Sequence, residues 1–258
     1  MSNGKILCLH GFVQTADIFK AKISGVRKAL KKQGFECIFL TAPIKLLPAD
    51  LPFDVDVKRF DSKSGDDQQE YRAWWLKKDA FNVDVAIESI KDFTKEHGPF
   101  VGILAFSQGA GLAGLITSQF KDITNNLQQK DLKFSIFYSG FKINGCDPEV
   151  LKYYEQKINI PTLHVIGELD TVVDLDMSMR LYEECCEPGT ATLLKHPGGH
   201  FVPNSRNVVD KVVAWVVNAV KENDNNNNKN NKDSQEQEEK DKELDDDLMA
   251  MIDKLGTA

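Results

Sequence analysis

Short runs of apolar residues alternate with segments of helical periodicity along most of this chain. The apolar runs predict strands at Lys5–Leu9, Phe35–Leu40, Phe100–Phe106, Phe134–Tyr138, Thr162–Ile166 and Ala191–Leu194. The periodic segments predict helices over about 18–32, 82–96, 109–121, 175–186 and 206–221. This alternation predicts an α/β fold with a mostly parallel central sheet, flanked by helices on both faces. In such a sheet, functional sites form at the carboxyl ends of the strands.

Residues 42–80 interrupt the alternation with a stretch rich in Pro, Asp, Lys and Ser. A connection this long is more often functional than filler, and we expect a cap-like insertion on the active-site side of the sheet. It ends near two adjacent tryptophans, Trp74 and Trp75. Either both indoles line a substrate pocket, or one belongs to the core and the other is a surface anchor.

Residues 222–258 differ in composition from the rest of the chain, being dominated by Asn, Gln, Glu, Lys and Asp. The predicted organisation is therefore a globular domain over 1–221 followed by a disordered tail. Apolar residues at helical spacing within 244–255 predict a short amphipathic helix at its end. That helix is either frayed and solvated or a docking motif for a protein partner.

The composition of the chain limits the classes of function that the protein can have. The chain has 258 residues, 41% of them hydrophobic, which suits one domain with a substantial core. The tail holds twelve acidic and five basic residues, which accounts for the whole net charge of −7 and leaves the domain neutral. A neutral domain argues against nucleic-acid binding. No apolar run approaches the roughly 20 residues of a membrane span.

Two further features favour a cytoplasmic protein, with the nucleus as a second location. The apolar run near the amino terminus is too short for the hydrophobic region of a signal peptide. The five cysteines are odd in number and have no paired spacing, as expected of reduced thiols. Their spacing does not resemble a zinc site, and no metal ligand is predicted.

The segment Ala105–Gly109 carries the strongest chemical signal in the chain. It follows a predicted strand and precedes a helix rich in small residues, as in the nucleophile elbow G-x-S-x-G, with alanine in the first position. Small residues let the two backbones converge, which lifts Ser107 above the sheet. The N–H of Gln108 would then face an oxyanion. The alternative is a strand-to-helix turn with an N-capping serine.

A nucleophilic serine needs a histidine to take its proton. Three histidines follow Ser107, and His200 is favoured over His196 and His164. His200 lies in a loop with two glycines and two prolines, after the last predicted strand. Such a loop can project the ring back towards the elbow.

The carboxylate that orients the histidine is expected between the serine and the histidine in the chain. Asp170 is favoured because it directly follows the fifth predicted strand. The competing carboxylates are Glu168, Asp174 and Asp176. Asp174 is better placed as a cap for the helix that follows.

A second oxyanion donor is expected in the loop after the first strand. Gly11 allows a close backbone approach to the substrate, and the N–H of Phe12 would pair with that of Gln108. His10 lies in the same loop and is predicted to be structural rather than a base.

Together these segments resemble a fungal family of serine hydrolases, similar to the ovarian-cancer-associated serine hydrolase. The resemblance is carried by Leu9–Phe12, Ala105–Ala110, Gly167–Asp170 and His196–Pro203, and it covers roughly residues 4–220. It implies an α/β-hydrolase fold, a triad of Ser107, Asp170 and His200, and esterase or thioesterase activity without a cofactor. Relatives usually carry glycine in place of Ala105, so we expect a slightly tighter turn and retained activity.

The resulting hypothesis is a serine-dependent carboxylic ester hydrolase that acts on small-molecule acyl esters through an acyl-enzyme on Ser107. An acyl thioesterase is the nearest alternative. A binding protein that has the same fold without catalysis is an alternative from a different class, because fold does not determine function.

Overall fold

The computed structural model describes residues 2–47, 50, 70–76, 83–145 and 147–225. Most of the 42–80 insertion and the tail from residue 226 lie outside the described residues, and with them the predicted cap-like insertion, the disordered tail and its terminal amphipathic helix. By its internal contacts the chain divides into two units, Met1–Val217 and Asn218–Ala258. The described part of the second unit, 218–225, is helical, so residues 222–225 are helical where the sequence predicted the start of a disordered tail.

A six-stranded sheet forms the centre of the first unit, and its strands are ordered β2-β1-β5-β6-β7-β8. All neighbouring strands are parallel. The strands are β1 (Gly4–Leu9), β2 (Phe35–Leu40), β5 (Phe100–Phe106), β6 (Phe134–Tyr138), β7 (Thr162–Gly167) and β8 (Ala191–His196). The predicted parallel sheet is confirmed. Two short strands not predicted from the sequence, β3 (Ile44–Lys45) and β4 (Arg72–Ala73), pair antiparallel in the 42–80 region.

The helices follow the predicted positions with three differences. They are α1 (Ala16–Lys22), α2 (Ser24–Lys32), α3 (Asp84–His97), α4 (Gln108–Ile116), α5 (Phe120–Thr124), α6 (Pro148–Leu151), α7 (Leu175–Glu184) and α8 (206–225). The single helix predicted over 18–32 is two helices, and that predicted over 109–121 is also divided. Helix α6 was not predicted, although Asp147 before Pro148 is a recognisable start signal: its carboxylate accepts from the Glu149 N–H at 2.9 Å.

The break between α1 and α2 depends on a residue far along the chain. The side chain of Asn204 accepts from the Gly25 N–H at 3.2 Å and donates to the Lys22 carbonyl at 2.7 Å. These bonds satisfy backbone groups that the interruption at Ile23 would otherwise leave without partners. Helical periodicity continues across the break, so the local pattern did not reveal it.

A local side-chain bond marks the division of the helix predicted over 109–121. The Thr117 hydroxyl donates to the Ala113 carbonyl at 2.6 Å, one turn earlier. Such back-bonding competes with the helical pattern and bends helices. The chain continues as a 3-10 turn, Thr117–Gln119, before α5 begins.

Apolar side chains cover both faces of the sheet. On one face, residues of α3, α4 and α7 form a buried cluster with alternate residues of the strands, including Leu7, Ile103 and Phe137. On the other face, Phe134 lies 6.3 Å from Trp215 of α8, measured between ring centroids. Helices therefore flank both faces of the sheet, and the carboxyl ends of the strands lead into turns and loops, where a site can form.

Among the described residues, no helix combines the length and the apolar character needed to cross a membrane.

Candidate functional site

Ser107 lies in the turn between β5 and α4, at the carboxyl edge of the sheet. Its backbone has φ 53° and ψ −119°, a conformation that residues with side chains rarely adopt. The turn is held by the Ser107 N–H, which donates to the Tyr138 carbonyl at 2.9 Å, and by the Gly111 N–H, which donates to the Ser107 carbonyl at 2.9 Å. Ser107 occupies the N-cap position of α4, but its hydroxyl makes no capping bond, so the alternative of a serine that caps through its side chain is wrong.

Position 109 must be glycine because α4 approaches the end of β1 very closely. A β-carbon on Gly109 would lie 2.6 Å from the Leu9 carbonyl oxygen and would also overlap the His10 carbonyl oxygen. Both are backbone atoms that cannot move aside easily. Ala105 lies buried within β5, in register with Leu9 and Phe137, and its methyl group is accommodated there.

His200 connects Ser107 to Asp170. Its Nε2 lies 2.9 Å from the Ser107 Oγ, and its Nδ1 lies 2.8 Å from Asp170 Oδ2. Because an ionised carboxylate only accepts, Nδ1 carries the proton and Nε2 accepts from the serine hydroxyl. The ring also packs against Phe106, 4.9 Å away between centroids. This arrangement can deprotonate a serine.

The Asp170 carboxylate is buried and accepts four hydrogen bonds. Oδ2 accepts from His200 and from the Ser139 hydroxyl, each at 2.8 Å, and Oδ1 accepts from the N–H groups of Val172 and Val173, each at 3.0 Å. Burial alone raises the pKa of this carboxyl, but the four donors outweigh it and hold the pKa below its usual value. Asp170 is therefore ionised beside His200.

The competing residues occupy other positions. Asp174 caps α7, accepting from the Met177 N–H at 2.8 Å, as expected from the sequence. His196 is buried, and its Nδ1 accepts from the Gly198 N–H at 3.3 Å. His164 lies inside β7, where burial lowers its pKa to about 3. Among the described residues, only His200 hydrogen-bonds to the Ser107 hydroxyl.

The two predicted oxyanion donors lie in the loop after β1 and at the start of α4, on either side of Ser107 in the chain and close to it. A β-carbon on Gly11 would lie 3.3 Å from the Ser107 Cβ, so the loop that carries Phe12 approaches the nucleophile closely. Gln108 is the first residue of α4, where a backbone N–H has no intrahelical acceptor. Neither the Phe12 nor the Gln108 N–H donates to another residue in the part of the chain that the structure describes.

His10 uses both ring nitrogens in hydrogen bonds to the backbone. Its Nδ1 donates to the Gly11 carbonyl at 2.7 Å, and its Nε2 accepts from the Ala42 N–H at 2.9 Å. Burial lowers the pKa of His10 to about 4. The ring is therefore neutral near pH 7 and acts as a structural bridge, in keeping with its predicted role.

Both tryptophans are buried, which rules out a surface anchor. Trp74 is 0% exposed, and its indole N–H donates to the His10 carbonyl at 2.7 Å. Trp75 is 5% exposed, and its ring meets Phe141 edge-on at 6.4 Å. Trp74 therefore supports the loop that carries Phe12, while Trp75 lies beside the start of α4.

Two polar groups of the site were missed in the sequence. Ser139 follows β6 directly and binds Asp170; a polar residue at the carboxyl end of a buried strand was the available signal. The Gln108 carboxamide bonds to the backbone of Trp74 and Trp75. No local pattern indicates this second contact.

Comparison with known proteins is consistent with this geometry. The chain matches the family described as "Serine hydrolase (FSH1)" over residues 1–212. "Family of serine hydrolases 3" of Saccharomyces cerevisiae is 38% identical over 265 residues, covering 98% of this chain and 97% of that protein. "Esterase OVCA2" of Danio rerio is 33% identical over 218 residues, covering 77% of this chain and 90% of that protein.

A solved structure is similar in fold. Zea mays acyl-protein thioesterase 2 superposes with a TM-score of 0.54 at 17% identity, covering 85% of this chain and 95% of that one. Together with the parallel sheet and its flanking helices, this likeness establishes the α/β-hydrolase fold that the sequence resemblance implied.

Proposed function

This chain belongs to the FSH1 family of serine hydrolases, and on that premise we propose that it hydrolyses acyl esters through an acyl-enzyme on Ser107. The observation that carries the proposal is the relay from the Ser107 hydroxyl to His200 at 2.9 Å and from His200 to Asp170 at 2.8 Å. A serine is a weak nucleophile at neutral pH unless a base takes its proton and a carboxylate orients that base.

In the acylation step, the Ser107 Oγ attacks the acyl carbonyl carbon while its proton passes to His200 Nε2. The carbonyl oxygen becomes an oxyanion, which accepts hydrogen bonds from the N–H groups of Phe12 and Gln108. The bond to the alcohol oxygen then breaks, and His200 donates its proton to the leaving alcohol. Asp170 stabilises the imidazolium throughout and keeps the ring in the required tautomer.

In the deacylation step, water attacks the acyl-enzyme and gives a proton to His200. The same oxyanion hole stabilises the second tetrahedral intermediate. Collapse of that intermediate returns the proton to Ser107 and releases the carboxylic acid, so the enzyme is regenerated without a cofactor.

Exposed apolar side chains on the two loops that carry Asp170 and His200 support the proposal of an acyl substrate. Leu169 and Val172 flank Asp170 at 70% and 63% exposure, and Phe201, next to His200, is 50% exposed. Side chains of this kind, carried by both triad loops, favour a substrate with an apolar acyl group. We propose that Trp75 also borders this group, and that Trp74 acts by supporting the loop beneath it.

The test is labelling of the full chain by a fluorophosphonate probe, with the modified residue identified by peptide mass spectrometry. We expect label on Ser107 and none on the Ser107→Ala variant. Folded wild-type protein that takes no label would instead favour a binding protein without catalysis.

A second measurement separates esters from thioesters. Esters and thioesters of matched acyl chains, graded in length, are compared by kcat/KM with the wild-type chain. We expect hydrolysis of the oxygen esters to depend on Ser107. A strong preference for every thioester over its matched ester would make thioesterase the better description.

We also propose that the protein acts in the cytoplasm or nucleus. The support is the set of described cysteines, all with free thiols: Cys8, Cys37, Cys185 and Cys186. Imaging of the full chain fused to a fluorescent protein checks this, and secretion of the fusion would contradict it.

The tail remains a candidate docking segment for a protein partner. The support for that role is the run of apolar residues at helical spacing within 244–255. Affinity capture with the full chain and with a chain ending at residue 225 tests it, and identical partners for both would exclude it.

A further inference from the structure

The carboxamide of Gln108 binds the backbone of the insertion at two points. Its Oε1 accepts from the Trp74 N–H at 2.9 Å, and its Nε2 donates to the Trp75 carbonyl at 2.8 Å. The group is buried, and a rotated carboxamide would face donor with donor and acceptor with acceptor. The two bonds therefore fix one orientation of the carboxamide, and they link the Gln108 side chain to the backbone of Trp74 and Trp75.

The same stretch of the insertion also binds the loop after β1. The Val13 N–H donates to the Arg72 carbonyl at 3.1 Å, and the Arg72 N–H donates to the Gln14 carbonyl at 3.2 Å. The Trp74 indole N–H donates to the His10 carbonyl at 2.7 Å. Residues 72–75 thus contact both the loop that carries Phe12 and the first residue of α4, Gln108, which carry the two proposed oxyanion donors.

His10 extends this connection to the Phe12 N–H. The His10 Nδ1–H binds the Gly11 carbonyl at 2.7 Å. That carbonyl and the Phe12 N–H belong to one planar trans peptide, in which the two groups point in opposite directions. A bond that holds the Gly11 carbonyl therefore also sets the direction of the Phe12 N–H.

We propose that the Gln108 side chain and residues 72–75 form a positioning clamp that sets the separation and direction of the two oxyanion donors. This inference rests on the proposed function. Gln108 has two separate tasks: its backbone N–H binds the oxyanion, and its side chain positions the hole. An oxyanion hole works only when its donors lie about 2.7–3.1 Å from the developing charge, so a loosened clamp lowers the rate.

The chain contains a matched control for a purely structural role. Gln129 brackets Phe100 in the same way: its Oε1 accepts from the Phe100 N–H and its Nε2 donates to the Phe100 carbonyl, each at 2.8 Å. Gln129 is also buried, but Phe100 begins β5 whereas Ser107 follows its other end. Loss of either carboxamide removes two buried hydrogen bonds to the backbone, and loss of Gln129 also removes the bond from its Nε2 to the Lys130 carbonyl at 2.7 Å. Only Gln108 adjoins Ser107.

The experiment compares Gln108→Met with Gln129→Met in the full chain. Melting temperature, kcat and KM on one ester are measured, together with the inhibition constant of a trifluoromethyl ketone that forms an oxyanion on Ser107. We expect both variants to lose thermal stability. Gln108→Met should lower kcat about 10- to 100-fold, weaken ketone binding by a similar factor and change KM little, while Gln129→Met keeps wild-type kinetics.

A second pair of variants, Trp74→Phe and Trp215→Phe, tests the clamp if Gln108→Met does not fold. Trp74→Phe removes the indole donor to the His10 carbonyl, and Trp215→Phe removes a similar donor to the Thr192 hydroxyl, 3.1 Å away. We expect lower kcat and weaker ketone binding for Trp74→Phe alone. Wild-type values of both constants in Gln108→Met and in Trp74→Phe would overturn the clamp. A wild-type chain that neither hydrolyses esters nor takes the fluorophosphonate would overturn the proposed function instead.

Discussion

Strand β5 has a buried glutamine beside each of its ends, and the two glutamines differ in what surrounds them. At the amino end, Gln129 brackets Phe100, whose ring stacks on Phe93 at 6.2 Å. At the carboxyl end, the Gln108 carboxamide hydrogen-bonds to the backbone of Trp74 and Trp75 in the insertion. This contact lies next to Ser107, where the backbone is strained. The same two hydrogen bonds therefore stabilise apolar packing at one edge of the sheet and a reactive turn at the other.

This difference follows from the direction of the strands. In a parallel sheet every carboxyl end reaches the same edge, so loops from several strands meet there. Ser107, Asp170 and Ser139 each follow a different strand and meet at that edge. Substitutions at the carboxyl edge should therefore alter chemistry, whereas those at the amino edge should alter stability alone.

The largest effect is expected at the nucleophile and its base. Ser107→Ala and His200→Ala should each lower kcat about 10⁵- to 10⁶-fold, because the residues act as a unit. The double variant should be no slower than either single variant, as measured on a chromogenic ester with folding checked by circular dichroism. Multiplicative losses in the double variant would contradict a shared relay.

A smaller effect is expected at Ser139. Its hydroxyl shares the Asp170 Oδ2 with His200, and Ser139→Ala leaves that oxygen with one donor fewer. We expect kcat/KM to fall about tenfold, equivalent to about 1.4 kcal/mol. Ser178→Ala is the control, because the buried Ser178 hydroxyl has no hydrogen-bond partner among the described residues. Equal kcat/KM values for the two variants would show that Ser139 does not act through Asp170.

Acid should destabilise the folded protein through two buried neutral histidines, His10 and His164. Burial lowers the pKa of His10 to about 4 and that of His164 to about 3, from 6.5 when unfolded. The unfolded chain therefore binds protons first as the pH falls, and stability decreases from about pH 6.5 down to about pH 4 for His10 and to about pH 3 for His164. For His10 the loss is on the order of 3 kcal/mol.

Urea unfolding at a series of pH values measures this loss. The lowered pKa of Asp170 acts in the same direction at lower pH, since that carboxylate contributes stability until it is protonated. His164→Gln should flatten part of the dependence without altering kcat at neutral pH, because His164 lies within β7 and away from Ser107. A free energy of unfolding that is constant between pH 6.5 and 4 would contradict the assignment of neutral rings.

The smallest effect is expected at a buried serine near the amino edge. The hydroxyls of Ser135 in β6 and Thr117 lie 3.1 Å apart. Ser135→Ala should reduce the free energy of unfolding by about 1 kcal/mol and leave kcat unchanged. A fall in kcat at constant stability would break the distinction between the two edges.

The sequence by itself determined the sheet and most of the site. Phe35–Leu40 and Phe100–Phe106 were predicted as strands at their observed limits, because each is a short run of mostly apolar residues. The second of them lies inside the sheet and is apolar throughout, as expected of a strand covered on both faces. Ser107, Asp170 and His200 were identified because each follows a strand and each has a residue type that the chemistry requires. These signals are local, and a linear pattern can record them.

Only the tertiary structure decided which distant polar groups hydrogen-bond to one another and hold the site and its surroundings in place. Ser139 meets Asp170 across 31 positions of the chain, Gln108 meets Trp74 across 34, and Asn204 reaches Gly25 across 179. Each of these is a polar side chain that pairs with a group brought near by folding. Hydrogen bonds need a separation of about 3 Å and a favourable angle, and no local periodicity encodes either across such distances. The sequence therefore indicated the residues proposed to react, and the fold determined which groups hold them in place.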